Sequence, residues 1–223
     1  MHGKASKSEG KKIRILIVDD HAIIREGLMR IIQSEKDMEV AGSVKNASEA
    51  INELSGHPVD VVILDVNMPG RSGLDIIKDI KKLQPKAAVL MLSMYSEERF
   101  AIRALKAGAS GYLTKDMATE EVISAIRIIH SGRRYITATL AESMANNLQE
   151  TSEKNPHDCL SDREFEVMCM IGAGKSVNEI AEVLSLSSRT VSTYRSRILI
   201  KMNLPNTSRI MQYAISKGLV DNN

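Results

Sequence analysis

Short apolar runs alternate with amphipathic stretches from Ile13 to about Ile136. The runs Ile13–Val18, Val59–Leu64 and Ala87–Leu92 are almost unbroken, as strands buried on both faces require, and weaker runs fall near 38–44 and 109–113. Between and after them, apolar residues recur at helical spacing near 22–34, 46–55, 72–83, 96–107 and 118–132. Local signals agree with these limits. Asn46 stands three residues before Glu49 as a helix N-cap, Gly108 suits a helix end, and Pro85 stops the third helix. A fivefold βα alternation predicts an α/β fold, a doubly wound five-stranded parallel sheet.

The pattern then changes. Residues 137–148 are compatible with one more helix, and 149–157 are polar with a proline, so 137–158 reads as a linker. From Leu160 there is no strand period. Four helices fit, near 162–173, 177–185, 188–202 and 206–217, which predicts a small all-α domain over 159–223. Ser161-Asp-Arg-Glu164 is a capping box, and Ser187 and Asn206 offer further caps. Residues 1–12 are polar and basic and read as a disordered tail.

Composition adds little beyond class. A chain of 223 residues with 43% hydrophobic and 26% charged content is ordinary for a globular protein, and a net charge of +2 points to no partner. No run reaches membrane-spanning length and no apolar signal core opens the chain, so a cytoplasmic protein without a membrane partner is expected. Cys159 and Cys169 are then expected as free thiols.

Candidate chemistry gathers at the C-terminal ends of the strand-like runs. Asp19 and Asp20 follow the first, Asp65 the third, Ser93 the fourth, and Lys115 follows Gly111–Thr114. Ligands of a parallel α/β sheet bind at that edge. A carboxylate there can attack phosphorus to form an acyl phosphate. Asp65 is the expected acceptor, and Asp19, Asp20, Asp65 itself and the backbone carbonyl of Asn67 would hold Mg2+, which takes few carboxylates and keeps waters. Lys115 would set a point charge against the phosphoryl group and Ser93 a hydrogen bond. Taken alone, Asp65 is as easily a turn former, and Tyr112 an ordinary strand residue.

The C-terminal unit carries different chemistry. Residues 177–197 have helix-turn-helix character. One stripe is Ile180, Ala181 and Leu184; the next is Val191, Tyr194, Ile198 and Met202. The other side of the second helix bears Arg189, Thr190, Ser192, Thr193, Arg195, Ser196, Arg197 and Lys201, and no acidic residue lies between Ser187 and Asn206. Such a helix suits double-stranded DNA, with small polar residues at base edges and arginines on phosphates. Ile210, Met211 and Ala214 share a face of the last helix, as a dimer contact or as core.

Residues 13–132 resemble the receiver domain of two-component response regulators. The matching segments are Val18-Asp-Asp-His21, Leu64-Asp-Val-Asn-Met-Pro-Gly70, Met91-Leu-Ser93 and Gly108-Ala-Ser-Gly-Tyr-Leu-Thr-Lys115. Residues 160–220 resemble the LuxR-type DNA-binding domain through Leu160-Ser-Asp-Arg-Glu164, Asn178-Glu-Ile-Ala181, Leu186-Ser-Ser-Arg-Thr-Val191 and Tyr194-Arg-Ser-Arg-Ile198. Together they resemble the NarL/FixJ family, with GacA/UvrY-type members the nearest in flavour. The resemblance implies phosphorylation of Asp65 by a sensor histidine kinase, with Ser93 and Tyr112 as switch residues. It also implies a homodimer on DNA when phosphorylated, and a resting state that is monomeric or hides its recognition helix. It implies no enzyme beyond self-phosphorylation and dephosphorylation. Two departures stand out. Asp116 replaces the proline that many members have after the lysine, and Ser192 stands where many have lysine. Two other classes stay open: a magnesium-dependent phosphohydrolase, against which Asn67 stands where a second aspartate is wanted, and a module that works by protein contacts alone.

Overall fold

A computed structural model describes residues 11–94, 97–116, 119–149 and 155–220. Ten of the twelve tail residues therefore lie outside the described residues. Strands β1 (Ile13–Val18), β2 (Met38–Val44), β3 (Val61–Asp65), β4 (Ala88–Ser93) and β5 (Gly111–Thr114) form one parallel sheet in the order β2-β1-β3-β4-β5. Helices α1 (Ala22–Ser34), α2 (Ala47–Gly56), α3 (Gly73–Leu83), α4 (Glu97–Ala107) and α5 (Thr119–His130) alternate with them. The fold class expected for this half is thus observed.

Side-chain alternation divides the core. Ile15, Ile17, Val61 and Ile63 pack on one face with α1 and α5. Leu16, Val18, Val62 and Leu64 pack on the other with α2, α3 and α4. Helix ends follow from local chemistry. The Asn46 side chain accepts from Glu49 N, and Ser72 with Asp75 closes a capping box on α3. Gly108 sits at φ +114° after α4, a backbone that suits a residue without Cβ.

Two strands start later than their apolar runs. The Val59 amide donates to the Gln84 side-chain Oε1 and not to β1; the Asp60 amide is the first to bond β1, at Arg14 O, and β3 is regular from Val61. Ala109 still donates to Ala104 O, finishing α4, which delays β5 to Gly111. Beyond α5 the chain returns to the edge strand, where Tyr135 bridges Gly111 and donates to Ser110 O. An otherwise open strand edge is covered in this way.

Helix α6 (Ala138–Gln149) follows, on the stretch compatible with one more helix, and a 3-10 turn over Pro156–Cys159 falls in the polar stretch that composition reads as linker. Helices α7 (Asp162–Gly172), α8 (Val177–Val183), α9 (Ser188–Lys201) and α10 (Thr207–Ser216) complete the chain. Their caps are those expected at Ser161, Ser187 and Asn206, with Ser176 and Glu179 adding another capping box. The hydrophobic layer over α2–α4 runs without a break into Phe165, Met168, Ile180, Val191, Ile198 and Ile210. The two halves therefore pack on each other. Cys159 is exposed and Cys169 buried, and neither is in a disulfide.

Candidate functional site

The strand order reverses direction between β1 and β3, and the crevice at such a point is where an open α/β sheet receives ligands. Asp19 and Asp20 follow β1 directly, and Asp65 ends β3 opposite Leu92. The Val66 amide donates to Leu92 O, and the Gly73 amide donates back to Val66 O. The loop after Asp65 is thus drawn tight against α3. A Cβ on Gly73 would lie 2.0 Å from Asp65 O, so only glycine allows this approach.

All five expected positions converge. The Lys115 Nζ lies 2.7 Å from Asp19 Oδ2 and 2.8 Å from Asp65 Oδ2, and His21 Nδ1 stands 3.9 Å from the same Asp65 oxygen. Lys115 is placed by its own amide, which donates to Ser93 O. Ser93 ends β4 fully buried, and Tyr112 on β5 is fully buried too. Asn67 donates its amide to Asp65 Oδ1, and its own buried Oδ1 has no hydrogen-bond partner.

Burial dominates the electrostatics. Asp65 is 1% exposed. Desolvation, helped by the nearby Asp19 carboxylate and opposed by Lys115, pushes its pKa up to about 7. The same carboxylates hold the Lys115 ammonium above its ordinary value against the cost of burial. Asp19, Asp20, His21 and Asp65 each present a ligand atom within 4.8 Å of the others. A divalent cation fits this donor set: three carboxylates face one lysine, and a cation removes the repulsion that burial magnifies. His21 is the N-cap of α1 but makes no side-chain cap bond; its Nδ1 lies 2.9 Å from Asp20 Oδ1 and 3.2 Å from Asp19 Oδ1.

In the helical half, Ser187 caps α9 by accepting from Thr190 N, and Ser188 donates to Asn178 Oδ1, fixing α9 on α8. Arg189, Thr193, Ser196 and Arg197 are exposed, while Thr190, Ser192 and Arg195 are half-buried. This face of α9 is therefore partly open to solvent in this structure, although the two halves are packed together. Thr193 and Ser196 donate to carbonyls one turn back, at Arg189 and Ser192. Lys201 is engaged within the chain, its Nζ 2.6 Å from Glu164 Oε2. Ile210 and Ala214 are fully buried against the rest of the helical unit, so the core reading holds for them. Only Met211 of the three keeps surface, and Ile215, exposed by 57%, was not singled out.

Arg163 is the residue that sequence reasoning missed. Its guanidinium donates to Met68 O and Gly70 O in the loop after Asp65, each at 3.0 Å, and to Glu166 Oε2 at 2.6 Å. The capping box drew attention to Ser161 and Glu164 and passed over Arg163 between them.

Comparison with known proteins agrees with this geometry. Residues 15–127 match the family model described as response regulator receiver domain, and residues 158–214 match that of bacterial regulatory proteins, luxR family. The chain belongs to the NarL/FixJ family of two-component response regulators. It is a DNA-binding transcription regulator with a receiver domain and a LuxR-type domain. It is 38% identical to the response regulator UvrY of Escherichia coli over 93% of this chain and 95% of that protein. It is 34% identical to GacA of Pseudomonas viridiflava over 94% of this chain and 98% of that protein, in keeping with the finer resemblance. A LuxR-family response regulator structure from Aurantimonas aligns with a TM-score of 0.59 at 34% identity, covering 63% of this chain and 100% of that one. RcsB of Salmonella enterica serovar Typhimurium, bound to promoter rprA with a phosphomimetic, aligns at 0.63 with 23% identity, covering 91% and 98%, and shares the fold. Among the described residues, no helix is long and apolar enough to cross a membrane.

Proposed function

We propose that Asp65 is the phosphoacceptor through which a sensor histidine kinase controls this regulator in the cytoplasm. Asp19, Asp20 and the Asn67 backbone carbonyl hold Mg2+ beside it. The cation supplies charge neutralisation for the phosphoryl oxygens. Lys115 and Ser93 bind those oxygens, and Tyr112 follows Ser93 in transmitting the change along β4 and β5. The chain catalyses nothing beyond its own phosphorylation and dephosphorylation. Residues 13–136 form the receiver and 159–223 the DNA-binding domain, with 137–158 linking them.

The single observation that carries this reading is the environment of Asp65. Its carboxylate is almost fully buried yet within reach of two others and of Lys115. A buried carboxylate cluster costs stability and is retained where charge is to be managed at that point. On the helical side, the open face of α9 reads DNA, with Arg189, Arg195 and Arg197 on phosphates and Ser192, Thr193 and Ser196 toward base edges. Lys201 joins them where its ion pair with Glu164 allows. Phosphorylation favours a dimer, and α10 provides its DNA-domain contact through Met211. Two linked half-site contacts then gain avidity.

Sedimentation and DNA binding test this together, using duplexes selected from a random-sequence pool. With acetyl phosphate and Mg2+, wild type should dimerise and bind more tightly, and Asp65→Asn should do neither. An equal gain in Asp65→Asn contradicts the switch.

A further inference from the structure

The imidazole of His21 stands among the carboxylates of the candidate cation site. Its Nδ1 lies 2.9 Å from Asp20 Oδ1, 3.2 Å from Asp19 Oδ1 and 3.9 Å from Asp65 Oδ2. The backbone holds it there. The His21 amide donates to Asp19 Oδ1 at 2.8 Å, and the residue caps α1 with its side chain left free of any cap bond. Asp19 is thereby divided: its Oδ2 serves Lys115 and its Oδ1 the histidine side. The His21 side chain is 58% exposed, so the place it borders is reachable from solvent.

These separations are those of ligands that share one ion. Ligands about 2.1 Å from an octahedral ion stand about 3.0 Å apart when adjacent and about 4.2 Å apart when opposite. Nδ1 is at the first spacing from Asp20 and Asp19 and near the second from Asp65. As a hydrogen-bond donor Nδ1 can serve one oxygen, and Asp19 Oδ1 is placed for it. Asp20 Oδ1 is buried and has no hydrogen-bond partner, although Nδ1 is 2.9 Å away. Adjacent ligands each aim at the ion, about 45° off the line that joins them. A proton on such a nitrogen would meet the oxygen at an angle where hydrogen bonds have weakened steeply. A cation bonded to both atoms satisfies both.

We infer that His21 Nδ1 is a ligand to the divalent cation beside Asp65, and that it biases the site toward first-row transition ions over Mg2+. Mg2+ takes oxygen ligands and keeps its waters. Imidazole suits Fe2+, Ni2+ and Zn2+, and the affinity of N/O sites rises from Mn2+ to Ni2+. A nitrogen ligand therefore adds affinity for one class of ion and little for the other. Which ion fills the site then depends on the supply of transition ions beside Mg2+. The inference rests on the reading that a cation is held beside Asp65, and it assigns a ligand and an ion class that the reading leaves open.

Calorimetric titration of the full-length chain with Ni2+ and with Mg2+ tests this, on wild type, His21→Ala and His21→Gln. Ni2+ affinity should fall by about tenfold or more in both variants, at least the loss that removal of an outer-shell partner causes. Mg2+ accepts a water or the glutamine oxygen in place of the imidazole, so it should weaken by no more than about threefold. Mg2+ binding that is kept also shows that the variants fold. A second measurement needs no variant. In wild type loaded with Mn2+ at one per chain, electron spin echo modulation should carry the coupling of a directly bonded nitrogen, which His21→Ala should lack. A histidine that is only hydrogen-bonded to the carboxylates gives no such coupling. Ni2+ affinity unmoved by either substitution, Mg2+ lost as strongly as Ni2+, or Mn2+ without a bonded nitrogen overturns the inference. Failure of the acceptor reading is separate: it shows as no acyl phosphate on Asp65, with the His21-dependent metal binding unchanged.

Discussion

Removing the charge of Asp65 should stabilise the cation-free protein, and by an amount that depends on pH. Burial raises the carboxyl from the ordinary 3.8 to about 7 in the folded chain. A folded-state pKa above the unfolded one means that the folded chain binds the proton more tightly. The stability this gives is full below the unfolded value and is lost as pH rises through the folded one. Wild type therefore loses stability relative to Asp65→Asn across roughly pH 4 to 7, and the difference levels off above that. A rise of about 3 pH units corresponds to about 4 kcal/mol at the plateau, about 2 kcal/mol near pH 5.5 and less than about 1 kcal/mol at pH 4. The figure already includes the attraction of Lys115, which asparagine forgoes. Urea unfolding of both proteins in chelator at pH 4, 5.5 and 8 measures it. Mg2+ should narrow the gap at pH 8, because it favours the ionised acid. A difference that is constant with pH, or an asparagine variant less stable at pH 8, would refute the electrostatic account.

Three further substitutions probe other links. Gly73→Ala sets a Cβ 2.0 Å from Asp65 O, so it should displace the acceptor loop and cost about 1–3 kcal/mol by overpacking, with loss of acetyl phosphate labelling. Unchanged labelling and stability would mean that the loop yields freely. Gly172→Ala meets Ala214 Cβ at 2.6 Å, so it should destabilise the α7–α10 contact by a similar ~1–3 kcal/mol in urea unfolding, whereas an unaltered midpoint would contradict that packing. Arg195→Ala should weaken binding to all duplexes alike and lower the salt slope by about 1, as loss of one phosphate contact does. A loss confined to one sequence would contradict that role.

The sequence disclosed much of this molecule because its receiver half obeys simple rules. Strands buried on both faces read as apolar runs, and the residues that end them lie at one sheet edge by topology alone. Asp19, Asp20, Asp65, Ser93 and Lys115 could therefore be grouped before any geometry was known. The strand starts were less legible, since Val59 is apolar and reads as strand yet gives its amide to the Gln84 side chain. The domain packing was not legible at all. A helix buried on every side, as α7 is, has no amphipathic stripe to announce a second partner. Arg163 and Glu166 look like solvated charges until the structure places them 4% and 1% exposed. The last helix illustrates the reverse difficulty. Ile210 and Ala214 share a face that periodicity marks as apolar, and only packing shows that α7 and its neighbours already cover it.

The measurement that bears most directly on the central claim is intact mass after incubation with acetyl phosphate and Mg2+, for wild type and Asp65→Asn. The expected result is one added phosphoryl group on wild type, released by hydroxylamine as an acyl phosphate must be, and none on the variant. An adduct that persists in Asp65→Asn, or that resists hydroxylamine, would contradict Asp65 as the acceptor.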